Sequence, residues 1–305
     1  MVNDKLFYSQ YLKEYHAVKA IYLKTLFNNH EKLNEELKKF EFLQSFTDNT
    51  RFIIQADMRQ NYFHCIETFF ELFFAFLPNN GVIPDHHKII KNLVKSNWTK
   101  NYKLIQEIAD GAFSLDILDE HIDFLDYNVS IAQYLFYPGM FDRSKFPDDF
   151  FKQVNQSIIA IKASIKALAA DFSQREEYNA YKHGIRIFPT YKSIHLVDAN
   201  TMKAQAAWDL SNSVSFYTFN DKLKETKITT KVFDFERDFL MTRLASNLIF
   251  TLINYRDIMI NPERRSKNEK IPIRFFDINA VEDCTQHHVD IPDIVFSNQM
   301  TPNIL

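Results

Sequence analysis

The chain of 305 residues predicts a mainly α fold: a helical bundle with a small antiparallel β insertion before its last long helix. Three observations carry this. Up to about residue 183, apolar side chains recur at three and four, the period of helices with a buried face. Between 185 and 233 the pattern changes to short β-branched and aromatic runs, broken by turn clusters such as Asp198-Ala199-Asn200 and Asn220-Asp221. Glycine is scarce: four residues, against a usual share of about 7%, and Gly81, Gly111, Gly139 and Gly184 stand too far apart for a GxGxxG or phosphate-loop pattern. That argues against doubly wound nucleotide-binding folds.

A first helical stretch covers 22–46, with Leu23, Leu26, Phe27, Leu33, Leu37 and Phe40 between charged residues. Thr47-Asp48-Asn49-Thr50 offers N-caps for a long helix over 51–77, which Pro78 stops. This helix is apolar nearly all round and is therefore central. Shorter helices follow at 86–96, 99–110 and 118–136, and another from Asp148 aligns Ile158, Ile161, Ile165 and Leu168. Ser173 to Glu176 has the form of a capping box for a short helix over 174–183, with Gly184 at its C-terminal turn. Strands are expected at 185–188, 193–197, 214–219 and 227–233, a helix from 234 to about 260, and one strand at 271–276. The organisation read from this is a bundle over 1–184, a β insertion over 185–233, a long helix over 234–262 completing the bundle, and an irregular tail over 263–305.

Basic and acidic side chains number 36 and 39, a formal net charge of −3. A dedicated nucleic-acid coat is disfavoured, while a local basic face is not. Cys65 and Cys284 are too few for a disulfide framework and suit a reducing compartment. The N-terminal residues show no apolar signal core, and the apolar run Phe69–Leu77 falls short of the roughly 20 residues that span a bilayer. A cytoplasmic protein without a membrane partner is the expectation.

The densest polar cluster is Arg175-Glu176-Glu177-Tyr178-Asn179-Ala180-Tyr181-Lys182-His183-Gly184-Ile185-Arg186. On a helix Arg175, Asn179 and Lys182 share a face, and His183 stacks one turn beyond Asn179. The helix carbonyls there favour the imidazolium, so Asn179, Lys182, His183 and Arg186 can grip a phosphodiester with His183 as acid or base. The alternative is a solvated helix end whose cations complement the macrodipole.

The segment Tyr178-Asn179-Ala180-Tyr181-Lys182-His183 on a short helix resembles the HEPN superfamily, helical and often dimeric proteins that include metal-independent ribonucleases. Their signature is Arg, a polar residue, and His after four to six intervening positions. Here the polar residue and His183 are present and Tyr178 stands in the place of the Arg. The resemblance implies a homodimer that binds RNA or a nucleotide phosphate, with Asn179, Lys182 and His183 catalytic and Arg175, Tyr178 and Arg186 on the substrate.

Arg59-Gln60-Asn61-Tyr62-Phe63-His64 also has the signature spacing, at about the frequency chance supplies. Arg59, His64, Glu67 and Glu71 share the long helix, and charges in so apolar a helix need partners. They form either an ion-pair ladder to a neighbouring helix or one site in which Arg59, His64 and Glu67 meet Asn179, Lys182 and His183. No metal or cofactor is expected: Asp283-Cys284-Thr285-Gln286-His287-His288 offers one plausible ligand pair, and ExxH and HExxH are absent. Basic and aromatic residues near Arg186, Tyr191, Lys192 and Tyr217 suggest a β surface for single-stranded nucleic acid. The expected function is RNA or nucleotide-phosphate binding, with ribonuclease activity if His183 is catalytic; a non-enzymatic scaffold that binds a protein partner is the alternative.

Overall fold

The computed structural model describes residues 4–40, 49–173, 175–182, 186–189, 192–198, 200–201, 203–220, 225–264, 272–287 and 294–299. The protein is mainly helical: α1 (Asp4–Gln10), α2 (Tyr15–Asn28), α3 (His30–Leu37), α4 (Thr50–Phe76), α5 (His86–Val94), α6 (Trp98–Ala109), α7 (Ile131–Phe136), α8 (Asp148–Phe172), α9 (Arg175–Lys182), α10 (Phe235–Ile260) and α11 (Ile278–Thr285). The strands are β1 (His121–Phe124), β2 (Tyr127–Ser130), β3 (Ile187–Phe188), β4 (Ser193–Val197), β5 (Ala204–Asp209), β6 (Ser213–Asn220), β7 (Glu225–Val232) and β8 (Ile294–Gln299). The chain divides into two compact units: unit 1 holds 1–19, 62–173 and 240–286, and unit 2 holds 20–61, 174–239 and 287–305.

Unit 1 is built on the aromatic run the sequence marks as central. Phe63, Phe69, Phe70, Phe73 and Phe76 of α4 are fully buried, as are Ile161, Ile165 and Leu168 of α8 and Leu248, Leu252 and Ile253 of α10. Arg256 is buried among them with no carboxylate partner among the described residues, and its hydrogen bonds explain why it is tolerated. It donates to the carbonyls of Tyr134 (3.1 Å) and Leu135 (2.9 Å). Those are last-turn carbonyls of α7 that lack a partner within the helix. The guanidinium also lies 4.3 Å from the centre of the Phe76 ring. Cys65 is buried beside Ser246, and burial pushes its thiol up to about 12, so it is unreactive at neutral pH.

Several expected elements are corrected. The helix expected over 118–136 is instead a 3-10 turn over Leu115–Asp119, the hairpin β1–β2 and short α7. Its two-residue loop, Leu125-Asp126, has φ of 50° and 66°. That is a primed hairpin turn made without the glycine that normally announces one. The stretch over 22–46 breaks at Asn29, whose amide donates to the Thr25 carbonyl at 2.7 Å and competes with helix continuation. Ser173 does not open a capping box: its hydroxyl donates back to the Ala170 carbonyl at 2.7 Å and closes α8. Gly184 lies outside the described residues.

No strand forms within 272–276, because side chains take up the backbone groups a ladder would use. Arg274 N–H donates to Tyr255 Oη at 2.6 Å and Phe276 N–H to Ser157 Oγ at 2.7 Å, and Tyr137 Oη donates to the Arg274 carbonyl at 3.1 Å.

In unit 2, β3–β6–β7–β8 form one antiparallel sheet and β4–β5 a separate hairpin. β5, β8 and α11 were not among the expected elements. Ser213 pairs with Val232, Ser215 with Thr230 and Tyr217 with Ile228, while Phe188 of β3 pairs with Ser215. Alternation therefore puts Phe188, Ser213, Ser215, Tyr217 and Phe219 on one face of the sheet, and Val214, Phe216 and Lys231 on the other. The second face receives α9, where Lys231 Nζ lies 3.4 Å from Glu177.

Candidate functional site

α9 is amphipathic, with different neighbours on its two sides. Glu177, Tyr178, Ala180 and Tyr181 are buried against the sheet, Asn179 is half-buried, and Lys182 is exposed. The buried side carries an ion network. Arg59 Nε donates to Glu177 Oε1 at 2.9 Å, Nη2 to Oε2 at 3.3 Å, and Nη1 to Asp238 Oδ1 at 2.5 Å. This fork holds Glu177 with two donors while a third bonds Asp238, a planar geometry that the single ammonium of a lysine does not reproduce. Burial opposes the Arg59 cation, but Asp238 and Glu177 outweigh it and hold the guanidinium charged. Burial likewise opposes the Glu177 carboxylate, and Arg59 and Lys231 together draw its pKa below the usual value.

Asp238 has the weaker share of this compensation. Burial raises it from 3.8 to about 6 despite Arg59, with Glu177 pushing the same way. An acid whose folded pKa is raised stabilises the fold fully below its unfolded pKa, and that contribution is lost as pH rises through the folded value. The loss runs from about pH 4 to about pH 6. Asp238→Asn removes it, so the melting temperature of the variant relative to wild type should climb across that interval and then level off. Parallel thermal melts of the two proteins between pH 4 and 8 check this.

The remaining expected site residues fall in different places. Arg175 opens α9, and His183 lies outside the described residues. Tyr178 is 4% exposed, its ring 5.2 Å from the Lys182 ammonium. Exposed Arg186 donates to the Asn179 carbonyl at 3.1 Å, which sets its guanidinium beside the outer side of α9. Arg59 does meet α9, through Glu177, a residue absent from the expected site. His64 and Glu67 belong to unit 1, where the exposed His64 ring packs 5.0 Å from His16 and Glu67 is buried. Among the described residues no three His, Cys, Asp or Glu side chains gather as a metal site. His287 Nδ1 lies 3.8 Å from Asp234 Oδ2.

The first face of the sheet shows a gradient. At one end Ser213 and Ser215 are buried, with Ser215 hydrogen-bonded to Thr230 at 2.7 Å. Further along the same strand Tyr217 and Phe219 are 49% and 51% exposed. The Phe188 ring lies 5.1 Å from that of Tyr217, so the three aromatics form one platform. Leaving half of each of two large rings in water forgoes about 2 kcal/mol of burial apiece.

At the Ser213 end lies a cleft of about 700 Å³, entirely within unit 2. Its walls include His30 and Asn34 of α3, Arg51 and Gln55 of α4, and Lys192 and Asn212 before β4 and β6. No Asp or Glu is among its described lining residues. Arg51 is exposed, with its guanidinium 4.9 Å from the Phe27 ring centre. His30 Nδ1 donates to the Phe27 carbonyl at 2.9 Å, which leaves Nε2 as the ring's acceptor in the neutral form. Asn34 Oδ1 is buried and has no hydrogen-bond partner among the described residues. Ser213 to Phe219 spans about 20 Å of strand, so cleft and platform adjoin along one face.

Lys192 and Tyr217 were legible as candidates in the sequence. Arg51 and His30 were not, because the cleft draws on segments more than a hundred residues apart, and nothing local marked Phe219 off from the other aromatic residues of its strand. No protein-family model, curated protein or solved structure matches the chain.

Proposed function

We propose that this protein binds single-stranded RNA across one face of the unit-2 sheet. Bases stack on Phe188, Tyr217 and Phe219, and phosphates enter the adjoining cleft at Arg51 and Lys192. The observation that carries this reading is the pair of half-exposed rings held on one strand beside a cationic cleft with no carboxylate among its described lining residues. An aromatic platform accepts any base by its π face, while a groove of one charge sign tracks the backbone. Arg186, two residues before Phe188, supplies a further cation at the strand edge, next to Asn179. Amides and hydroxyls in the cleft, Asn34 and Asn212 among them, suit the 2′-hydroxyl that separates RNA from DNA.

The scaffold alternative has its own support on the inner side of α9, where Glu177 and Tyr181 are committed to the core. That side takes no part in the RNA reading.

Fluorescence anisotropy of the full chain with a labelled single strand of about a dozen nucleotides tests the proposal. Binding should weaken with salt, and Arg51→Gln and Lys192→Gln should each lower the salt slope by about 0.7. An affinity unaffected by either substitution would refute it. The same mixtures in EDTA on a denaturing gel report cleavage. Products lost with His183→Ala would add turnover to binding, as the HEPN resemblance implies.

A further inference from the structure

Unit 1 carries a second polar concavity, separate from the RNA face. A cleft of about 520 Å³ opens between the C-terminal end of α4, α5 and the start of α6. Lys88, Lys91 and Lys95 stand at i, i+3 and i+7 along α5 and the residue that ends it, so they share one helix face. Lys100 faces the same space from the first turn of α6. All four are exposed and line the cleft, and none forms an ion pair among the described residues.

Against these four ammonium groups the described lining holds one carboxylate, Glu71, which accepts a hydrogen bond from Ser96 at 3.3 Å; Ser96 in turn accepts one from Asn101 at 3.0 Å. The remaining polar lining is made of neutral amides, including Asn92 and Asn79. The rest is apolar, with Phe74, Ala75, Leu77, Val82 and Leu104 beside two prolines. Phe74 is half-buried, with its ring stacked 5.7 Å from Phe70. Surface lysines usually alternate with carboxylates, so like charges gathered round a concavity set up a field that concentrates anions there.

We infer that this cleft binds a small organic polyphosphate, with the phosphates on Lys88, Lys91, Lys95 and Lys100 and the organic body on the apolar wall beside Phe74. The volume lies within the range of small-molecule sites, and apolar walls with a few convergent polar groups are their usual lining. A nucleic-acid strand fits less well, since Phe74 is the one aromatic residue among the described lining residues, where such strands use a series of stacking rings.

Isothermal titration of the full chain with ATP, tripolyphosphate and adenosine tests the inference. ATP should bind with a dissociation constant below about 1 mM, tripolyphosphate about tenfold more weakly, and adenosine not measurably. Lys91→Gln/Lys95→Gln should weaken ATP by about tenfold or more. Lys103→Gln should leave it unchanged, because that ammonium pairs with Glu107 at 3.6 Å and does not line the cleft. Tyr217→Ala/Phe219→Ala should leave ATP binding intact, which separates this site from the RNA face. If the α5 variant melts below wild type, Lys88→Gln/Lys100→Gln serves in its place.

No saturable ATP binding, or undiminished affinity in the lysine variants, would overturn the inference. Tripolyphosphate matching ATP would contradict the role given to the apolar wall. An RNA strand that binds more tightly than ATP, survives Tyr217→Ala/Phe219→Ala and is lost with the lysines would overturn the ligand class.

Discussion

Arg59→Ala should destabilise the protein by about 3–5 kcal/mol, read as a lower urea midpoint. The substitution leaves Glu177 and Asp238 buried, 2% and 1% exposed at their side chains, without the cation that bonds both. Lys231 still reaches Glu177 at 3.4 Å, so Asp238 bears most of the loss and should take up a proton on folding. Isolated charge, rather than lost packing, is the cause assigned here, and a second variant separates the two. Arg59→Ala/Glu177→Gln/Asp238→Asn has the same cavity but no stranded carboxylate, and should recover much of the stability. Equal destabilisation in both variants would show that the network acts through packing. Arg59→Lys should fall between wild type and Ala, because one ammonium cannot reproduce the fork.

Replacing Tyr217 and Phe219 together by Ala should weaken single-stranded RNA binding by at least about a hundredfold, since each stacked base is worth about 1–3 kcal/mol. Both rings are half-exposed, so the fold should lose little stability, and coincident urea transitions would confirm that affinity alone has changed. Tyr217→Phe keeps the π face and should bind nearly as wild type. Phe216→Ala is the instructive contrast: that ring is 2% exposed on the opposite face, and its removal should lower stability. Unchanged RNA affinity in the Tyr217/Phe219 variant would remove the platform from the account.

These two results rest on features that were unequally legible in the sequence. The long helices were plain, because α4, α8 and α10 repeat apolar residues over many turns and α4 is bounded by Thr50 and Pro78. β6 and β7 were legible from their β-branched and aromatic content. The hairpin β1–β2 was not. Leu125 and Asp126 adopt positive φ without glycine, and Leu118, Ile122, Val129 and Ile131 are spaced closely enough to imitate a helical face. β8 escaped because it pairs with β7 across roughly seventy residues, a contact that no local pattern encodes.

The site divides in the same way. Arg59 could be seen to need a buried partner, but not that Glu177 and Asp238 would share it. On β6, aromatic residues occur on both faces, and only tertiary packing decides that Phe216 is buried while Tyr217 and Phe219 stay in water.

The most direct measurement is photocrosslinking of the full chain to a uridine-rich single strand, followed by mass spectrometry of the joined peptides. The RNA reading predicts crosslinks on Phe188, Tyr217 and Phe219, with accompanying contacts at Arg51 or Lys192. Crosslinks confined to α9, or to the lysines of α5 and α6, would contradict it.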